Sequence, residues 1–168
     1  MTLDEHHDNL LTRVESVGTN LAPDDDWMPM LFIVDQTDQG TIVPVPALFT
    51  DEEQKNKAYN SVIPKLLREQ KAKVASLVTM TWMVVQSMDD SVVRPSEDAR
   101  RVEAVNVASF DWTGAFRWAI AEVTRSRGEH PRLGHWKKAS SEAGAKLEGI
   151  MSEPILAALR ANRDAAVG

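Results

Sequence analysis

With 168 residues, 43% of them hydrophobic, and no cysteine, the chain can fill one packed core but cannot build a disulfide framework, a thiolate metal site or a cysteine nucleophile. The net charge of −6 sits entirely in residues 1–26, where seven acids face Arg13 alone, while the acids and bases of the remainder balance. No basic stretch precedes an apolar core at the start, and Ser76, Thr79 and Thr81 interrupt the longest apolar run, Val74 to Val85. A secretory signal and a membrane helix are therefore not expected, and the cytoplasm is the expected location.

Leu3, Leu10, Leu11, Val14 and Val17 recur at helical spacing, which predicts an amphipathic helix over residues 3–17 with Gly18 as its stop. Asn20 to Asp26 reads as an acidic loop. Met28–Asp35 and Thr41–Leu48 read as strands of a hairpin whose turn is Gln36 to Gly40. Pro44 and Pro46, two apart, fall on one side of the second strand. Neither can donate to a ladder, so that strand belongs at a sheet edge with both prolines facing away from its neighbour.

Thr50-Asp51-Glu52-Glu53 signals a helix start, and Ala58, Tyr59, Val62, Ile63, Leu66 and Leu67 supply the buried stripe of a helix about 20 residues long. Pro64 inside it predicts a kink, or a division after Ser61. Three strands follow: Val74–Gln86, Val102–Phe110 and Ala115–Thr124. The first alternates Val78, Met80, Trp82 and Val84 against Thr79, Thr81 and Met83, and the third sets Phe116, Trp118 and Ile120 opposite Arg117, Ala119 and Ala121. These patterns place Trp82, Phe116 and Trp118 in a shared interior. The second strand mixes its faces, and Gly114 supplies a positive φ for the hairpin that joins it to the third.

Arg125 to Lys138 is a basic segment punctuated by Gly128, Pro131 and Gly134, expected as an ordered loop or extended arm. A helix is predicted over Ala139–Met151 and another from Ser152, with Pro154 in its first turn. The expected fold is α+β: one mainly antiparallel five-stranded sheet with helices packed on it, in the order α-β-β-α-β-β-β-α. Residues 1–26 form an acidic lead segment, 27–125 the core, and 126–168 a basic loop with C-terminal helices of the same domain. This element order resembles the roadblock and profilin-like group of small α+β folds, and the resemblance implies a dimerising platform or partner-binding module. The phrases Pro95 to Val105 and Pro131 to Trp136 resemble segments of small uncharacterised bacterial and phage proteins, and that likeness implies no function.

Candidate sites compete with plainer roles. His6 and His7 stand among Asp4, Glu5 and Asp8, but neighbouring helical residues point about 100° apart, so the pair reads as a solvated helix start and not as a metal site. Asp24-Asp25-Asp26 lacks the spacing of a calcium loop. No nucleophile elbow or phosphate loop occurs and no cofactor motif is present, so the expectation leans away from an enzyme. A pocket near Asn106, Asp111 or His135 would be the requirement for an enzyme or ligand binder. Arg125, Arg127, Arg132, Lys137 and Lys138 with Trp136, His130 and His135 would suit phosphates and a stacked base. The alternative, favoured by the protein's negative charge, has Leu133 and Trp136 anchoring the loop while its charges answer the acidic segment. Trp112 in its turn is a further candidate contact. The expected function is a non-catalytic interaction or assembly protein. Its expected partner is a protein, first of all a second copy of the chain, rather than a membrane or a nucleic acid. The expected surface comprises Pro44, Pro46, Trp112, Arg132, His135, Trp136 and Lys137.

Overall fold

The computed structural model describes residues 1–45, 51–83, 101–142 and 152–168. Helix α1 (Leu3–Gly18) opens with a complete capping box: Thr2 Oγ1 accepts from the Glu5 amide at 3.2 Å, and the Glu5 carboxylate accepts from the Thr2 amide at 2.8 Å. Its buried stripe is Leu3, His7, Leu10, Leu11, Val14 and Gly18. His7 takes a place in the apolar face, and Val17, expected there, is exposed.

Strands β1 (Met30–Asp35) and β2 (Gly40–Pro44) form the first hairpin. Strands β3 (Ala72–Met83), β4 (Val102–Asp111) and β5 (Phe116–Thr124) form an antiparallel meander. Both tight turns use the same device, Asp-x-Thr. Asp35 Oδ1 accepts from the Thr37 amide and hydroxyl and the Gln39 amide, and Asp111 Oδ1 does the same for Thr113 and Ala115. Gly114 takes the expected positive φ of 92°, whereas in the first turn Asp38, not Gly40, takes it, at 65°.

Among the described residues the sheet has seven strands, not five. Its order is β2-β1-β3-β4-β5-β6, and β7 also pairs with β5. The two extra strands come from the basic segment expected as a loop. β6 (Arg132–Leu133) pairs with Val123 and Thr124, and β7 (Lys137–Ser140) pairs with Arg117 to Ile120. Together they occupy the outer edge of β5, whose backbone groups would otherwise lack partners. Residues 139–140, expected to begin a helix, are thus strand, and 143–151 lie outside the described residues.

Instead of the kink or the division after Ser61 expected of Pro64, the structure keeps helical backbone through that point and changes the helix type. α2 (Glu52–Lys57) runs into a π-helical turn (Ala58–Val62) before α3 (Ile63–Glu69). The wider turn relieves the clash between the pyrrolidine ring and the preceding carbonyls. The helix α4 (Glu153–Val167) packs beside α3.

Among the described residues two cores result, one on each side of the sheet. Beneath α3 and α4 lie Leu31, Ile33, Ala75, Leu77, Phe110 and Phe116. Beneath α1 lie Val78, Val105, Val107, Ala119 and Val123. The expectation of one interior for Trp82, Phe116 and Trp118 fails. Phe116 and Trp118 stand opposite Phe110 and Ala108 on the α3–α4 side, but Trp82 stands opposite Glu103 on the α1 side. Trp82 lies at the far end of β3 and is 41% exposed, with the Arg101 guanidinium 4.7 Å above its ring. Alternation within a strand sorts its two faces, but only the register says which face of one strand matches which face of the next.

Asn162 of α4 is buried, and its amide donates to the carbonyls of Leu67 and Ala72, both at 2.9 Å, joining the end of α3 to the start of β3. Asn162→Ala leaves both carbonyls without this donor and is expected to cost about 2 kcal/mol in chemical denaturation, with an unchanged native spectrum.

Candidate functional site

Helix α1 brings its N-terminal half down on the centre of the sheet, and there four polar side chains form one continuous chain. His6 Nε2 lies 2.9 Å from Ser76 Oγ, Ser76 Oγ lies 2.7 Å from Ser109 Oγ, and Ser109 Oγ lies 2.8 Å from His7 Nδ1. Ser76 and Ser109 are fully buried and directly paired across β3 and β4. Serine in a central strand normally weakens a core, yet each hydroxyl here has two partners, the other serine and a histidine nitrogen, so neither is orphaned. The histidines are not the solvated helix start expected: His7 is 3% exposed and His6 is half-buried. Burial lowers the His7 pKa to about 4 and also lowers that of His6, where the nearby Arg13 charge adds to the effect. Among the described residues His7 Nε2 has no hydrogen-bond partner.

The two rings serve different spaces. His6 lines a groove of about 820 Å³ between α1 and the β1–β2 hairpin. The groove has an apolar floor of Leu10, Phe32, Val34 and Val74, with Arg13 and Asn9 on the helix wall and Ile42 on the opposite rim. At one end Lys73 pairs with Asp38, which holds the Asp38 carboxyl below its ordinary value. His7 lines a smaller space of about 260 Å³ with Asp4, Asp8, Arg117 and Lys138.

Ion pairs, some of them beside that second space, fasten the acidic lead segment to the basic edge of the sheet. Arg117 pairs with Asp4 and Glu142, Lys138 with Asp8, and Arg125 with Asp26 and Glu103. The Arg117 guanidinium lowers the Asp4 pKa, chiefly by hydrogen bonding. Arg125 also donates to the carbonyls of Pro23 and Asp25, so Asp26 serves as a clasp. No cluster of three metal-ligating side chains occurs among the described residues.

The sequence-chosen surface residues are scattered. Trp136 packs partly buried against the α1-side core and donates from Nε1 to Glu15 at 2.7 Å, with Leu133 beside it. Arg132 is exposed and pairs with Glu129, three residues away. His135 and Lys137 are exposed on the β6–β7 edge. Trp112 is half-buried against the α3–α4 core. Asn106, Asp111 and His135 do not converge: Asn106 accepts from Trp118 Nε1, Asp111 organises its turn, and His135 stands at the sheet edge.

Pro44 is exposed on β2, and Pro46 lies outside the described residues. The hairpin register settles which way Pro44 faces. The Val45 amide donates to the Pro29 carbonyl at 2.9 Å and the Asp35 amide to the Gln39 carbonyl at 3.0 Å, so the odd-numbered residues bond to β1. Gly40, Ile42 and Pro44 therefore turn their backbone groups outward, and among the described residues no strand pairs with that edge. Ile42 is 47% exposed.

The serine bridge was hidden from sequence reasoning because Ser76 and Ser109 are 33 residues apart and meet only through strand register. A signal for His7 was present: it continues the Leu3, Leu10, Leu11, Val14 stripe at helical spacing. Among the described residues no helix is long and apolar enough to cross a membrane. Comparison of the chain with protein-family models, curated proteins and solved structures gives no match.

Proposed function

We propose that this protein is a non-catalytic interaction or assembly module that self-associates through the outer edge of β2. The observation that carries the reading is the outward register of Gly40, Ile42 and Pro44 on a strand with an exposed isoleucine and no described neighbour. An open edge of this kind is a template for another strand. A two-fold axis through Ile42 makes the edge complementary to itself. Ile42 of each copy exchanges both main-chain bonds with its counterpart, and each Gly40 amide donates to the Pro44 carbonyl of the other copy. Pro44 has no amide to offer and ends the ladder there, limiting the contact to a short, closed pair instead of an open fibre.

Other expected surfaces support this choice by being engaged internally. Trp112 packs against the α3–α4 core, and Trp136 is bonded to Glu15. An interface of this size belongs to the weak, transient class, so association is expected in the micromolar range. Sedimentation equilibrium should give a reversible dimer. Ile42→Pro removes one outward amide but no bond to β1, and should leave a folded monomer. A wild-type protein that stays monomeric throughout the micromolar range would refute the reading.

A further inference from the structure

We propose that the groove between α1 and the β1–β2 hairpin binds an amphipathic small molecule with an anionic head, its chain on the apolar floor and its head at Arg13 and His6. This goes beyond self-association, because it uses the face of the hairpin and not its edge. The groove's volume of about 820 Å³ lies within the range of small-molecule sites, and its floor of Leu10, Phe32, Val34 and Val74 has the apolar character such sites share. α1 lies over β4, β5 and β6, so the same face of β1 receives no second helix among the described residues.

Charge selects the occupant. Among the described residues the acid on the groove wall is Asp38, and it is held by Lys73. Arg13 forms no ion pair among the described residues, and its charge bears directly on His6. A carboxylate there would answer Arg13, whereas an ammonium would meet an uncompensated like charge. The His6 ring is already oriented, because its Nε2 is held by Ser76 Oγ at 2.9 Å. The ring nitrogen left for a ligand is Nδ1.

The serine bridge then carries the event to the other side of the helix. A neutral His6 that donates Nδ1–H to a carboxylate must accept at Nε2, so Ser76 donates to His6. Ser109 in turn donates to Ser76, which reverses the bond that Ser76 donates to Ser109 in the structure, and His7 donates from Nδ1 to Ser109. Each of the four groups keeps one proton, and no net charge moves. His7 Nε2 is left as the unprotonated nitrogen, which removes a buried N–H without an acceptor. Occupancy of the groove thus fixes the tautomer of a ring that lines the opposite space.

The test uses decanoate, decylamine and decanol as probes with the whole chain at pH 8, read by nitrogen-15 NMR of the histidine rings. Decanoate is expected to bind saturably and to drive His7 to the Nδ1–H tautomer, with decanol weaker and decylamine weakest. Arg13→Gln, at an exposed helical position, should weaken decanoate about tenfold without changing sedimentation. Ser76→Ala should retain binding but uncouple the His7 tautomer. Three results would overturn the proposal: equal binding of all three probes, decanoate binding indifferent to Arg13→Gln, or decanoate displaced as protein concentration rises, which would make a second copy of the chain the groove's occupant.

Discussion

Gly18→Val is expected to lower folding stability by about 4 kcal/mol, and even Gly18→Ala, a change that ordinarily strengthens a helix, should lower it by about 2 kcal/mol. A Cβ on Gly18 would lie 2.5 Å from Cζ2 and 3.2 Å from Cη2 of Trp27. Trp27 is 3% exposed, and its Nε1 donates to the Val14 carbonyl at 2.9 Å, so the indole is held by packing and by a hydrogen bond to the very helix it touches. It cannot retreat without breaking that bond and opening the α1-side core. Intrinsic helix preference favours alanine over glycine by only about 1 kcal/mol, so the clash wins. Equilibrium urea unfolding of the three proteins decides it, and an alanine variant more stable than wild type would show that Trp27 does not pin the end of α1.

Acid should release α1. The His7 pKa falls from 6.5 to about 4 in the folded protein, because its ring is buried against the sheet. A base whose folded pKa is depressed contributes its full stability above pH 6.5. That contribution declines as pH falls toward 4, and below that it is gone. The size of the His7 shift corresponds to about 3 kcal/mol. His6 shifts in the same direction and adds to the loss. If both rings become charged, both donate into the Ser76–Ser109 bridge, which then carries one hydroxyl proton with no acceptor inside the chain. The opposing groups near His7 are Asp4 and Asp8, which face Arg117 and Lys138. His7→Phe removes the titrating ring, so its stability should be much flatter between pH 6.5 and 4 when followed by urea unfolding. An unchanged acid slope in that variant would contradict the burial of His7.

Local chemistry carried most of the element order. The amphipathic spacing of α1, the Asp-x-Thr turns, the change of helix type before Pro64 and the edge position of the Pro44 strand all follow from a few neighbouring residues. Features that depend on register did not. Trp82 looked like a companion of Phe116 because each strand alternates, yet the pairing of Trp82 with Glu103 sends it to the opposite face. Residues 125–138 looked like a loop because Gly128, Pro131 and Gly134 punctuate them, and 139–140 looked like the start of a helix; only the open edge of β5 makes such short pieces into strands. The His6–Ser76–Ser109–His7 chain joins three elements, so no local window contains it. The match between the acidic lead segment and the basic edge was legible as charge, but its pairs, Asp4 with Arg117 and Asp8 with Lys138, required the sheet.

Self-association through β2 is tested most directly by amide hydrogen exchange at Gly40 and Ile42, measured residue by residue across a dilution series. Both amides face away from β1, so in the monomer both should exchange rapidly, while the Val43 amide, turned toward β1, stays protected at every concentration. Pairing predicts that exchange at Gly40 and Ile42 slows together as concentration rises, and that in Ile42→Pro the Gly40 amide stays fast throughout. Exchange at both positions that is independent of concentration, with Val43 still protected, would contradict it.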